Sequence, residues 1–309
     1  MTIPRLHASD RTPDALRGAI IALGNFDGFH LGHQAVAGEA IAWARAEGRP
    51  AIIATFDPHP VRFFKPDAEP FRLTTLDQRQ ELFAAAGADA MLVFAFDAEL
   101  ASTTAEDFMA KLLVERLGAA GVVTGEDFTF GRARGGNIEL LKTRGAELGL
   151  SSRAVGAVML DGEVVSSSRI REALKAGDCE TATRLLSRPF AIRGIVQHGD
   201  KVGRTIGFPT ANIDHHALAA VPADGVYAGR AVLDGVRHPA AISVGTNPTF
   251  DGSRRTVEAY LLDVDQDLYG RLMRVEFVER LRDTLAFDSV DDLVAQMHED
   301  VAVTRRIVG

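Results

Sequence analysis

The sequence predicts two domains: a parallel α/β sheet over residues 1–185, then a small antiparallel β-barrel over residues 186–309 closed by a C-terminal helix. Three observations predict it. In the first part, continuous apolar runs alternate with helix-period segments, the pattern of strands buried on both faces of a parallel sheet. After Leu185 the runs become stretches rich in β-branched and aromatic residues at regular spacing, with Asp234-Gly235 as a hairpin turn. Finally, 309 residues with 46% hydrophobic content can fill two cores.

The elements follow in order. AIIAL (Ala19–Leu23) is the first strand, and the glycine-rich turn after it leads into a helix over AVAGEAIAWARAEG. Further strands are expected at Ala51–Phe56, Ala90–Phe96, Gly121–Thr124 and Ala154–Leu160. TAEDFMAKLLVERLG reads as a helix with Thr104 as N-cap, Asp107 in the first turn and Gly118 as its stop. Beyond Pro189, AIRGIVQHG, GVYAGRAVLDGVRHPAAISVG, TVEAYLLDV and RLMRVEFVERL supply the barrel strands. Ser289 caps the last helix, which keeps Val290, Leu293, Val294, Met297 and Val301 on one face.

Composition excludes several classes. The net charge is −8 and both halves are acidic, so broad binding to nucleic acid through phosphate neutralisation is not expected. The single cysteine, Cys179, rules out a disulfide framework and suits a cytoplasmic chain. No apolar run is long enough to cross a bilayer, and the N-terminus lacks the apolar core of a signal peptide.

Four of the expected strands run directly into unusual stretches: GNFDGFHLGH, DPHP, GEDFTFG and DGEVVSSSRIR. Ligands of open α/β sheets bind at the carboxyl ends of the strands, where these four stretches meet. In the first, Gly24, Phe26 and Asp27 precede His30 and His33. A metal reading of the two histidines lacks a third and fourth ligand at suitable spacing. Cap residues of an ordinary helix are the bland alternative. A glycine-rich turn entering a helix, however, offers free backbone N–H groups and the positive end of the dipole. Two imidazoles there can donate to oxygens that gain charge in a transition state, which favours a phosphate site. Ser166, Ser167 and Arg171 repeat the logic, against the alternative of a serine-capped helix with exposed arginines.

HGDKVGRTIGFPTANI (His198–Ile213) is not a Walker A loop. Its Gly199, Gly203 and Gly207 allow close approach of a phosphate. Thr210 and Asn212, two residues apart, share a face if the segment is extended. Their oxygens suit Mg²⁺ held jointly with substrate phosphates; a Gly/Pro-rich barrel loop is the alternative.

The opening turn and the Ser-Arg segment resemble the nucleotidyltransferase superfamily, whose signature is a glycine–aspartate turn followed by HxGH. Class I aminoacyl-tRNA synthetases share a related HxGH, but this chain lacks their lysine-rich second signature. GRTIGFPTAN resembles the riboflavin kinase signature, and GVYAG, SVGTNPTF, VEAYLLD and DLYG follow in that family's order. From about Gly18 to Arg305 the chain resembles the bacterial bifunctional riboflavin kinase/FMN adenylyltransferases, also called FAD synthetases. The resemblance implies a Rossmann-like α/β nucleotidyltransferase domain followed by a six-stranded riboflavin kinase barrel with a helix. It implies Glu258 as general base on the ribityl 5′-hydroxyl, with Thr210 and Asn212 on Mg²⁺ and ATP phosphates. It further implies His30 and His33 on the α-phosphate of a second ATP, and Ser166, Ser167 and Arg171 on the leaving pyrophosphate. Asp127 and Phe128, in GEDFTFG, would place the flavin. Riboflavin, FMN and ATP are then the expected partners, with neither nucleic acid nor membrane, and the chain a monomer or weak homo-oligomer.

Phe29, Asp57 and Ser168 depart from the family's usual residues without removing a catalytic group. Two rivals stay open: an adenylyltransferase whose barrel only senses flavin, and a non-enzymatic flavin carrier. Residues 186–309 are expected to fold alone and phosphorylate riboflavin.

Overall fold

The computed structural model describes residues 2–198, 206–246 and 255–309. The chain divides into two compact units. Met1–Glu69 and Thr74–Ser166 form the first; Pro70–Leu73 and Ser167–Gly309 form the second.

Six parallel strands carry the first unit. They are β1 (Arg5–His7), β2 (Ile20–Leu23), β3 (Ala51–Asp57), β4 (Ala90–Ala95), β5 (Gly121–Gly125) and β6 (Ser151–Val155), in the order β1-β4-β3-β2-β5-β6. The central strands are mostly apolar because both faces are covered. Helix α1 (Leu31–Ala46) buries Val36, Ala40, Ile41 and Trp43 against Ile20, Ala22, Ile53 and Val123 on one face. Ile21, Leu23, Ile52 and Val122 face the other way, onto Phe108, Met109 and Leu113. From β2 the chain proceeds to β3 and β4 on one side, then to β5 and β6 on the other. Two connections that leave in opposite directions open a crevice at the carboxyl ends of β2 and β5.

Helix α2 (Pro60–Phe64) follows β3, and α3 (Leu76–Ala86) starts in a capping box between Thr75 and Gln78. After α4 (Ala98–Ser102), α5 (Ala105–Asp107) begins at Thr104, whose hydroxyl accepts from Asp107 N–H at 3.1 Å. It runs on as Phe108–Arg116 with wider turns: Leu117 N–H reaches Leu112 O, five residues back. Gly118 at φ +64° ends it.

The expected strand Ala154–Leu160 is two elements. After β6 and α6 (Ile138–Glu147), which precedes it, the chain forms a small hairpin of β7 (Met159–Leu160) and β8 (Glu163–Val164). Asp161 and Gly162 lie at φ +58° and +79°, both left-handed, and two such residues close a two-residue hairpin whose twist matches its strands. Strand β1 has no counterpart among the expected elements, since three residues carry no periodicity.

The second unit is a closed barrel in the order β10-β13-β12-β11-β14-β9, its adjacent strands antiparallel where their registers are defined. Its strands are β9 (Phe190–Gln197), β10 (Ala211–His215), β11 (Gly225–Leu233), β12 (Val236–Thr246), β13 (Arg255–Leu261) and β14 (Leu272–Arg282). Asp234-Gly235 turns β11 into β12 as expected, at φ +48° and +84°. Tyr227, Ala231, Ile242, Val244, Val257, Val275 and Phe277 fill the interior. The last helix, α9 (Val290–Val308), starts at Ser289 as expected. Its buried positions are Asp300, Thr304 and Val308, whereas Val290 is 60% exposed. Asp300 draws that face inward by a two-oxygen bond with Arg282, at 2.7 to 3.2 Å.

Two helices before Ser187 group with the barrel: α7 (Ser167–Ala176) and α8 (Cys179–Leu186). Cys179, Ala182, Leu185 and Leu186 are buried, and α8 lies on β14 and β9. Ala223 N–H donates to Leu174 O at 2.9 Å. A fragment of residues 167–309 should therefore melt about 10 °C above one of residues 186–309, since burying Cys179, Ala182 and Leu185 is worth roughly 3 kcal/mol. Equal melting temperatures by circular dichroism would show that α8 adds nothing to the barrel.

Candidate active sites

The turn after β2 sits in the crevice of the first unit. Phe26 and Phe29 lie at φ +48° and +44°, where bulky side chains are rare, with Gly28 at +87° between them. Both rings are buried and pack edge-on against Phe83, at 5.8 and 5.0 Å. Phe29 thus fills core beneath the turn, and any part of Phe26 in phosphate binding comes from its backbone. Gly24 is tight: a Cβ there would lie 3.2 Å from the Phe26 ring.

His30 caps α1. Its Nδ1 accepts from His33 N–H at 3.3 Å, so in the neutral ring the proton sits on Nε2. The two imidazoles stack with centroids 3.6 Å apart, and His33 stands edge-on to Phe26 at 5.2 Å. Between them, Gly32 has a steric reason. A Cβ there would meet the His30 ring at 3.2 Å and Val165 O at 3.5 Å. Ser166 is the next residue, so the chain entering the serine-arginine segment passes beside the histidines.

Asp27 is only 1% exposed. Its Oδ1 accepts from Thr74 N–H at 3.0 Å and from Arg79 Nη2 at 3.4 Å. Sequence reasoning missed Arg79, because an arginine in an amphipathic helix carries no mark of complete burial. It also missed an aromatic group at the ends of β3 and β4. Phe63, Phe64 and Phe96 meet edge-on at 5.2 to 5.8 Å, and Phe64 is 65% exposed. Asp127 is exposed beyond β5, and Phe128 stacks over Phe130 at 6.0 Å.

Ser166 belongs to the first unit, Ser167 and Arg171 to the second. Arg171 donates through Nε to Phe71 O at 2.8 Å and lies over the Phe71 ring.

In the barrel, Asn212 on β10 pairs in register with Glu258 on β13, and Ser243 on β12 pairs with Glu258 from the other side. Thr210 donates to Glu258 Oε2 at 3.0 Å. Val257, Ala259 and Leu261 point into the core, so Glu258 and Tyr260 occupy the outer face of the wall. Phe208 packs between Tyr260 and His298 of α9, seating the loop that carries Thr210. Gly199 and Gly203 lie outside the described residues. Among the described residues, no group of three His, Cys, Asp or Glu side chains is placed to hold a metal.

Comparison with known proteins covers nearly the whole chain. Residues 12–169 match the FAD synthetase family and residues 186–308 the riboflavin kinase family. A bifunctional riboflavin kinase/FMN adenylyltransferase of Escherichia coli K12 is 37% identical over 98% of this chain and 96% of its own length. That of Pseudomonas fluorescens is 38% identical, over 95% and 94%. A crystal structure described as a macrolide-efflux protein from Streptococcus pneumoniae has a TM-score of 0.88 and 33% identity, covering 98% of this chain and 99% of that one. Its fold is the one described above; among the described residues here, no helix is long and apolar enough to cross a membrane.

Proposed function

The chain belongs to the bifunctional riboflavin kinase/FMN adenylyltransferase family, and from that membership we propose how its residues divide the work. The protein phosphorylates riboflavin to FMN with its C-terminal riboflavin kinase domain and adenylylates FMN to FAD with its N-terminal domain.

For the kinase, the reading rests above all on the bond between Thr210 and Glu258. Glu258 takes the proton of the ribityl 5′-hydroxyl as its oxygen attacks the γ-phosphorus of ATP, and ADP leaves. The Thr210 hydroxyl and Asn212 amide are hard oxygen donors beside a carboxylate, a set that fits Mg²⁺. Bound there, the ion would offset charge on the ATP phosphates. Gly199 and Gly203 are assigned to the same phosphates on the sequence pattern alone.

For adenylyl transfer, His30 and His33 donate to the α-phosphate of ATP while an FMN phosphate oxygen attacks its phosphorus. Pyrophosphate leaves, held by Ser166, Ser167 and Arg171. Gly24 and Phe26 contribute backbone, and Asp27 acts from beneath. Asp127 and Phe128 position the flavin phosphate, and the exposed Phe64 with Phe63 and Phe96 offers its ring system a stacking surface.

We place the protein in the cytoplasm, as a monomer or weak homo-oligomer. Burial pushes the Cys179 thiol up to about 12, so it stays protonated there.

Incubation with riboflavin, ATP and Mg²⁺, resolved by chromatography, should yield FMN and FAD. Adding a chelator in excess of Mg²⁺ should lower FMN formation at least about 100-fold, since the ATP charge is then unmatched. Undiminished FMN formation in chelator would remove the metal from this reading.

A further inference from the structure

Arg79 is a charged side chain sealed inside the first unit, 1% exposed, and every nitrogen of its guanidinium donates. Nε bonds Thr74 Oγ1 at 3.3 Å. Nη1 bonds Asn25 O at 3.3 Å and Thr55 Oγ1 at 3.0 Å. Nη2 bonds Asp27 Oδ1 at 3.4 Å and Thr74 O at 3.2 Å. Its partners bind one another as well. Thr55 donates to Asn25 O at 2.7 Å, and Gly28 N–H donates to Thr74 Oγ1 at 2.9 Å. The fork therefore fixes the residue before Phe26, the residue after it and, through Thr74, Gly28.

Those contacts bracket the stretch that the backbone would least readily adopt. Left-handed phenylalanines persist only where the surroundings over-determine them. A packed core does not need a charge here, because apolar side chains of similar volume generally stabilise such a site as well or better. What a planar fork with five directional donors adds is one defined geometry. The turn it defines ends at His30, whose cap bond to His33 N–H sets which ring nitrogen accepts and which carries the proton.

We propose that Arg79 is a positioning residue for adenylyl transfer: from its buried site it locks the Asn25–Gly28 turn and thereby aims the His30 and His33 imidazoles. The inference rests on the donor roles given above to those two histidines. Arg79 is too deep to touch a substrate, so its effect must pass through the turn.

Two variants of the full chain test it. Arg79→Lys keeps the charge but not the fork. Thr55→Val removes one anchor without changing shape, and keeps the test open if the lysine variant does not fold. Misplacing a reacting group by about 1 Å can cost roughly 100-fold, so kcat for FMN adenylylation should fall about 100-fold in Arg79→Lys and about tenfold in Thr55→Val. KM for ATP should stay within about threefold, because the lost interaction belongs to the transition state. Riboflavin phosphorylation by the same molecules should be unchanged. The imidazole nitrogen resonances of His30 and His33, read by NMR in ¹⁵N-labelled protein, should be displaced. A fall in kcat with unmoved imidazole signals, unmoved signals with normal kcat, or a rise in KM alone would overturn the positioning role. Displaced signals with normal kcat would instead overturn the roles given to the histidines, and the catalytic importance of Arg79 with them.

Discussion

Glu258→Gln should accumulate almost no FMN from riboflavin while still converting supplied FMN to FAD at close to the normal rate. A primary hydroxyl is a poor nucleophile at neutral pH, and a carboxylate placed to take its proton contributes roughly 10²–10⁴-fold. Glutamine has nearly the same shape, and its amide oxygen can still accept from Thr210. The strand register that sets Glu258 between Asn212 and Ser243 is made by the backbone and survives the change. Binding of riboflavin and MgADP should persist. Product analysis by chromatography, from riboflavin and separately from FMN, checks both halves. Riboflavin phosphorylation at the wild-type rate would make Glu258 a carboxylate of the outer barrel wall and nothing more.

His33→Ala should show the opposite split, with FMN adenylylation lowered roughly 10²–10³-fold and riboflavin phosphorylation intact. The magnitude is that of one lost donor to charge developing in a transition state. His33 gives a cleaner experiment than His30. His30 also caps α1, and losing a cap costs about 1 kcal/mol in its own right, mixing stability with catalysis. His33 contributes its backbone N–H to that cap, which alanine retains. Loss of both activities together would mark a folding role.

The longer strands of both units were legible in the sequence because burial writes itself into local pattern. AIIAL, AIIATF and GVVT are apolar at every step but the buried Thr55 and Thr124, since both faces of β2, β3 and β5 are covered. TVEAYLLD alternates since one face of β13 meets the core, and that alternation places Glu258 and Tyr260 together on the outside. Extended one step further it would put Leu262 with them, yet Leu262 lies past the end of β13 and is buried, where strand alternation no longer applies. Thr104, Ser289 and Asp234-Gly235 act as expected, because capping and tight turns depend on a few adjacent residues. Asp161-Gly162 offers the same turn signal directly after an apolar run that reads as one continuous strand.

By itself the sequence determined the central strands of the sheet and most strands of the barrel, that a parallel sheet precedes a barrel, and which polar residues stand at strand ends. Each follows from interactions between residues close in the chain, or from the contrast between apolar and polar positions along it. Tertiary structure alone decided that β2 and β5 are neighbours, so that the histidine turn and the GEDFTFG loop flank one crevice. It alone decided that α7, α8 and residues 70–73 group with the barrel, and that Arg79 lies buried beneath Asn25–Gly28 rather than in water. Arg79 is 24 residues from Thr55 and 54 from Asn25, and Thr74 is 47 from Asp27. Bonds across such spans depend on how whole elements pack, and no local period in the chain encodes them.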